Sequence, residues 1–223
     1  MKHFVNHIAF VIDASGSMQG REGDVTKVFE NLVAYLRKRS VELDQETRAS
    51  LYFFNNNITC DVFDMDVTRL TGIREKYIPK GQTALLDAVS LALDDAKILP
   101  EKYDDHAHIT YVITDGEENY SKSTTIDNMR RKIVGLPENF TVAIMVPNLN
   151  GVAEAKRFGF PAGNIEVWET SSKGVHEIGE RLKTSMDTYF QNRIKGIRST
   201  SNLFTVQAAH LTKTDIKSNL DAI

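Results

Sequence analysis

Residues 8–18 read Ile-Ala-Phe-Val-Ile-Asp-Ala-Ser-Gly-Ser-Met, an apolar run that ends in a carboxylate and two hydroxyls. The run 8–12 is apolar at every position, which is typical of a central parallel strand with helices on both faces of the sheet. Asp13, Ser15 and Ser17 follow at alternate positions. A strand that ends in such an oxygen-rich loop can hold a hard cation, because ions such as Mg²⁺ prefer oxygen ligands.

Two later stretches repeat this combination of apolar residues and side-chain oxygens. Gly81-Gln82-Thr83-Ala84-Leu85 places a hydroxyl just before a long segment with helical apolar spacing, and Val112-Ile113-Thr114-Asp115-Gly116 ends an apolar run in a second carboxylate. Together with Asp13-x-Ser15-x-Ser17, they supply in order all five positions of the metal-ion-dependent adhesion site of the von Willebrand factor type A family. The chain resembles that family over about residues 4–194.

The resemblance implies a magnesium site, with Mn²⁺ as an alternative, that has these ligands: Asp13, Ser15, Ser17, Thr83 and Asp115. In the family pattern the two serines coordinate directly, and Asp13 holds the ion through water or a hydroxyl. Thr83 and Asp115 exchange between direct and water-mediated contact. A carboxylate of a partner protein completes the coordination, and this binding is commonly coupled to movement of the last helix.

Apolar periodicity predicts an alternation of strands and helices. Strands are expected over 4–13, 51–54, 58–63, 107–114, 140–146 and 164–168. Helices are expected over 24–40, 84–99, 125–134, 151–158 and 174–194. This alternation predicts a doubly wound α/β fold with a mostly parallel six-stranded sheet in the order 3-2-1-4-5-6 and helices on both faces. The turn Asn55-Asn56-Asn57 predicts a hairpin with an antiparallel edge strand. In this order, Asp13 and Asp115 end neighbouring strands at the crevice where open α/β sheets bind ligands.

Length and composition fit an ordinary globular protein. The chain has 223 residues, 41% hydrophobic and 26% charged, with a net charge of −3 and a pI near 6.1. We expect one domain over residues 1–195, and a linker or tail over 196–223 that is either mobile or the start of a second domain or assembly element. The slightly negative net charge gives no reason to expect that the protein binds nucleic acid. Without a predicted signal peptide or membrane span, we expect a cytoplasmic protein, with a virion as an alternative location.

Three functions are compatible with this pattern. The preferred one is a non-enzymatic, metal-dependent protein-interaction module, or alternatively a structural component of a larger particle, of viral origin for example, in which the tail docks. A second is a magnesium-dependent phosphohydrolase that uses Asp13 as its nucleophile, although such enzymes usually carry a second aspartate where this chain has Ser15. A third is a nucleotide-binding fold, but Gly16, Gly20 and Gly23 do not have the spacing of a dinucleotide or P-loop motif.

Several of these residues also have simpler interpretations. Thr83 alone is typical of a helix N-cap, and Glu117 and Glu118 suggest a solvated acidic loop beside the site. His106 and His108 lie on one face of a predicted strand, but no third metal ligand can be predicted for them, so we expect structural or exposed histidines.

Overall fold

The computed structural model describes residues 3–70, 72, 76–101, 105–169 and 171–204. Within these residues, six strands alternate with five α-helices. The strands are β1 (Phe4–Asp13), β2 (Glu46–Phe54), β3 (Ile58–Asp66), β4 (Asp105–Ile113), β5 (Phe140–Val146) and β6 (Ile165–Val167). The helices are α1 (Glu22–Glu42), α2 (Leu85–Lys97), α3 (Ile126–Val134), α4 (Leu149–Phe158) and α5 (Ser172–Ile194).

The strands form one sheet in the order β3-β2-β1-β4-β5-β6. All neighbouring pairs are parallel except β2 and β3, which form an antiparallel hairpin with β3 at the edge. The predicted α/β fold and its strand order are therefore confirmed. The register sets Ile12 opposite Ile113, so the residues that follow, Asp13 and Thr114, lie side by side at the carboxyl end of the sheet.

Helices cover both faces of the sheet, which explains why residues 8–12 of β1 are apolar at every position. Ile8, Phe10 and Ile12 pack on one face with α1 and α5. Ala9 and Val11 pack on the other face with α2, α3 and α4. Burial of each larger side chain contributes about 1.5–3 kcal/mol. The central strand therefore joins the two halves of the core and fixes where its own carboxyl end lies.

Several element boundaries differ from the prediction, and the starts of β2 and α1 are two examples. β2 begins at Glu46 rather than at residue 51, since its polar first residues pair in parallel with β1 from Val5 onward. α1 begins at Glu22, and its N-cap position is Arg21, which makes no side-chain capping bond. Asp24, which begins the predicted helix, lies instead in the first turn, where a carboxylate interacts favourably with the helix dipole.

The chain after α5 folds back onto the domain as far as the description extends. Asn164 is fully buried; its Nδ2 donates to the Thr200 carbonyl at 2.7 Å and its Oδ1 accepts from the Leu203 amide at 2.8 Å. Leu203 and Phe204 are buried in the cluster formed with α1 and α5. Residues 197–204 therefore add to the core. The rest of the predicted tail, residues 205–223, lies outside the described residues.

The surface adds two observations. Cys60 is exposed on β3, although free cysteines are usually among the most buried residues. No helix in the described ranges has the length and apolar character needed to cross a membrane.

A buried arginine fastens the end of α5 to the amino-terminal edge of the sheet. Arg193 has no exposed surface. Its Nε donates to Asn6 Oδ1 and its Nη1 to Asp105 Oδ1, both at 2.9 Å, and its Nη2 donates to the Asp105 carbonyl. Removing one partner of a buried charge pair costs about 3–5 kcal/mol, since the other charge stays buried.

We therefore predict that Arg193→Ala lowers the free energy of unfolding by about 3–5 kcal/mol, measured by urea unfolding. Lys195→Ala, two residues further along and exposed, is the control and should change it by less than about 0.5 kcal/mol. A loss below about 1 kcal/mol in Arg193→Ala would show that the pair does not fasten the helix.

Three histidines converge at the same edge of the sheet. His7 Nε2 lies 3.0 Å from His106 Nδ1, and His7 Nδ1 lies 2.9 Å from Asp64 Oδ1. His108 Nε2 lies 2.7 Å from Glu101 Oε1, and its ring stacks on His7 at 4.6 Å. Among the described residues, no group of three or more His, Cys, Asp or Glu side chains is arranged to hold a metal ion. The three histidines contact one another and the carboxylates of Asp64 and Glu101, and His7 is the member of the cluster that sequence reasoning did not associate with His106 and His108.

Burial, together with the charge of His7, lowers the pKa of His108 from 6.5 to about 4, against the opposing effect of Glu101. Between these two pH values the unfolded chain binds a proton that the folded protein excludes, so stability should fall as the pH is lowered from 6.5 to 4. We predict that His108→Gln, which cannot titrate, reduces this loss by about 2 kcal/mol in urea unfolding at the two pH values. The exposed His176→Gln is the control; equal pH dependence in the two variants would exclude His108 as the cause.

Candidate metal centre

Asp13 is the buried end of β1 and the innermost group of the centre, with no exposed surface. Its Oδ1 accepts the Ser15 amide at 2.7 Å, and its Oδ2 accepts the Thr114 hydroxyl at 2.6 Å. Burial raises the pKa of the Asp13 carboxyl above its ordinary 3.8, although the hydrogen bonds from Thr114 and Ser15 lower it. A nearby cation would favour the ionised form, which is the form that can bind a metal.

The loop after Asp13 folds into a 3-10 turn over Gly16–Met18 and presents two hydroxyls. Ser15 Oγ and Ser17 Oγ lie 3.0 Å apart. The Gly16 amide donates to the Gly81 carbonyl at 2.9 Å, which joins this loop to the one that carries Thr83. Their backbones approach so closely that a Cβ on Gly16 would lie 3.3 Å from the Gly81 oxygen.

Thr83 lies just before α2 and is buried. Its amide donates to Asn119 Oδ1 at 2.9 Å, and its carbonyl accepts from the amides of Asn119 and Tyr120. The N-cap residue of α2 is Ala84, so the simpler interpretation of Thr83 as the cap is wrong. In the described part of the chain, no group forms a hydrogen bond with the Thr83 hydroxyl, which is therefore the donor least committed to the protein.

Asp115 follows β4, and its side chain is only 3% exposed. Its Oδ1 accepts the Ser17 hydroxyl at 2.6 Å, and its Oδ2 accepts Arg21 Nη1 at 2.9 Å. Both carboxylate oxygens therefore already have a partner within the chain.

Gly116 shows how closely these groups converge. A Cβ placed on this residue would lie 3.3 Å from Thr83 Oγ1, 3.7 Å from Ser17 Oγ and 3.9 Å from Asp13 Oδ2. Oxygens from three separate loops therefore surround one point beside the Gly116 backbone. Ser15 Oγ and Asp115 Oδ1 both lie within hydrogen-bond distance of Ser17 Oγ, so these two residues belong to the same group of oxygens. The structure thus brings together all five residues that the sequence predicted.

The donor set suits a hard divalent cation. It contains two carboxylates and three hydroxyls, and oxygen-only sets of this kind favour Mg²⁺ or Mn²⁺ over zinc or copper. The hydrogen bonds that join the donors, 2.6–3.0 Å long, keep them close enough for one ion. The residues present therefore fit a magnesium or manganese ion.

Sequence reasoning missed two residues that shape this centre. Thr114 was treated only as part of a strand, although a hydroxyl opposite Asp13 follows from the predicted strand order. Arg21 was not considered, since nothing in the sequence relates it to Asp115. Glu118, expected in a solvated acidic loop, instead caps α2: its Oε2 accepts the Leu86 amide at 2.8 Å. Glu117 is exposed, as that expectation requires.

Several solved structures share this fold. Proximal thread matrix protein 1 of the mussel byssus matches with a TM-score of 0.57 and 17% identity, over 81% of this chain and 46% of the mussel protein. The pilus adhesin SpaC of Lactobacillus rhamnosus GG, in an open conformation, matches with a TM-score of 0.66 and 11% identity, over 85% of this chain and 30% of the adhesin. The vWF domain of the type V pili tip protein Mfa5 of Porphyromonas gingivalis matches with a TM-score of 0.59 and 12% identity, over 88% and 97%.

The present chain spans less than half the length of the mussel protein and of the pilus adhesin. At these identities the similarity shows the fold alone. No curated protein sequence matches the chain. The family model described as the von Willebrand factor type A domain, however, matches residues 7–156, more than half of the sequence. Together with the sheet order, this match shows that the chain belongs to the von Willebrand factor type A family.

Proposed function

We propose that this domain is a metal-dependent protein-interaction module whose ion is bound by Asp13, Ser15, Ser17, Thr83 and Asp115. The observation that carries the proposal is the convergence of Thr83 Oγ1, Ser17 Oγ and Asp13 Oδ2 around one point beside Gly116. The ion, Mg²⁺ or Mn²⁺, would supply a concentrated positive charge for a carboxylate of a partner protein.

Each residue contributes differently to this centre. Ser15 and Ser17 would be neutral direct ligands, on a loop held rigid by the Gly16 to Gly81 hydrogen bond. Asp13 would supply negative charge from its buried position, behind the hydroxyls. Thr83 would be a direct ligand, since its hydroxyl forms no other hydrogen bond in the described chain. The arrangement orients these oxygens before an ion or a partner arrives.

The charge balance supports an external acidic ligand. Asp115 shares its two oxygens between Ser17 and Arg21, so its charge is already partly neutralised. A divalent ion held mainly by hydroxyls keeps much of its charge, and a carboxylate from outside would compensate it. We therefore propose an aspartate or glutamate of a partner protein as the final ligand.

The geometry argues against the phosphohydrolase alternative. A nucleophilic aspartate needs a free oxygen facing its substrate. Both oxygens of Asp13 accept hydrogen bonds, and the residue has no exposed surface. Asp13 is therefore positioned to help bind an ion and to orient the groups around it, not to attack a substrate. This supports an interaction module rather than a phosphohydrolase.

The similar structures named above include a byssus matrix protein, a pilus adhesin and a pilus tip protein. These names support the proposal that the partner of this domain is another protein and that the two belong to an assembly. An alternative within the proposed class is that residues 196–223 of this chain dock in such an assembly. The cytoplasmic location of the protein is a prediction from its sequence.

We predict that Asp13→Asn weakens Mn²⁺ and Mg²⁺ binding at least about a hundredfold in calorimetry, because it removes a charge beside the ion. The metal-free variant should remain folded, since an amide of similar shape costs less to bury than a carboxylate. Asp127→Asn, an exposed aspartate on α3, is the control and should bind metal like the wild type. Capture of a partner should be lost both in EDTA and in Asp13→Asn. Capture that survives both conditions would exclude a metal-dependent interaction.

We also predict that Thr83→Val, which removes the hydroxyl while keeping the side-chain shape, weakens metal binding about tenfold. Thr83→Ser keeps the hydroxyl and should bind metal within a factor of about three of the wild type. Calorimetric titration with Mn²⁺ measures both. Equal affinity in the valine and serine variants would remove Thr83 from the set of ligands.

A further inference from the structure

Arg21 places a fixed positive charge at the edge of the candidate metal centre. Its Nη1 lies 2.9 Å from Asp115 Oδ2, and the same nitrogen donates to the Ser17 carbonyl. The two contacts connect the first loop to the loop after β4. The Arg21 side chain is 23% exposed and that of Asp115 3% exposed, so the pair is shielded from solvent better than most surface ion pairs.

The guanidinium and a divalent ion would use the same carboxylate. Asp115 can direct Oδ1 to the ion only if the Ser17 hydroxyl turns away from it, and Oδ2 only by sharing that oxygen with Arg21 or by releasing Arg21. Two positive charges a few ångströms apart also repel each other, and this repulsion is strong where water is partly excluded. The arginine therefore opposes metal binding, even though it stabilises the loops of the metal-free protein.

We propose that Arg21 is an internal counter-cation that competes with the metal for the negative charge of Asp115 and so raises the metal concentration at which the centre fills. This inference rests on the proposed function, since it requires that the centre binds a divalent ion. It goes further by assigning to Arg21 the control of metal affinity. While Asp115 is paired with Arg21, the groups that would contact the ion directly are the neutral hydroxyls of Ser15, Ser17 and Thr83.

A purely structural Arg21 would have the opposite effect on affinity. If the residue only held the two loops in place, its removal would loosen the ligands and weaken metal binding. If it competes with the ion, its removal strengthens metal binding while the metal-free protein becomes less stable. The direction of the change therefore distinguishes the two roles.

The test compares wild type, Arg21→Gln and Lys80→Gln in calorimetric titrations with Mn²⁺ and Mg²⁺. Lys80 is exposed and lies close to the same loop, since its amide donates to the Ala14 carbonyl. Lys80→Gln removes one positive charge, as Arg21→Gln does, but leaves the contacts of Asp115 unchanged. We expect Arg21→Gln to bind either ion about tenfold more tightly and Lys80→Gln to change the affinity less than about twofold.

Urea unfolding of the metal-free proteins supplies a second readout. Arg21→Gln should unfold at a lower urea concentration than the wild type, and this difference should shrink as metal saturates the centre. Unchanged or weaker metal binding in Arg21→Gln, or an equal gain in Lys80→Gln, would overturn the role of Arg21 while metal binding by the wild type still stood. A wild type that binds neither ion would overturn the proposed function and this inference together.

Discussion

Asp13 is held by contacts from both neighbouring strands, and the other parts of the centre are positioned relative to it. β1 pairs in parallel with β2 on one side and β4 on the other, which sets Thr114 beside the carboxylate. The Tyr77 hydroxyl donates to the Asp13 carbonyl at 2.7 Å, so the backbone is fixed as well as the side chain. A buried carboxylate is costly unless its oxygens are satisfied. The centre therefore depends on the strand register that supplies these partners.

The fold was predictable because each part of it leaves a local signal in the sequence. β1 and β5 have the predicted bounds, since a strand buried on both faces is apolar at nearly every position. The predicted strand order then places Asp13 and Asp115 together at the carboxyl end of the sheet. The start of β2 at Glu46 was not predictable, because its polar residues are ordered by pairing with β1 and not by burial.

The contacts that tune the centre leave no local signal. Arg21 and Asp115 are 94 residues apart, and an arginine after a glycine-rich loop usually points into solvent. The role of Glu118 as a cap for α2 depends on how two loops meet, and His7 joins the other histidines only through the register of β1 with β4. Side-chain contacts between loops therefore account for most of what the sequence did not reveal.

A different set of contacts connects the centre to the last helix. Trp168 donates from Nε1 to the Thr114 carbonyl at 3.0 Å, and its ring packs in the cluster with α5. The far end of α5 is held by Arg193 against Asp105, with both side chains buried. Sliding α5 along its axis would separate the buried arginine from its partner, which costs about 3–5 kcal/mol. The Arg193–Asp105 pair therefore opposes an axial displacement of α5 in this domain.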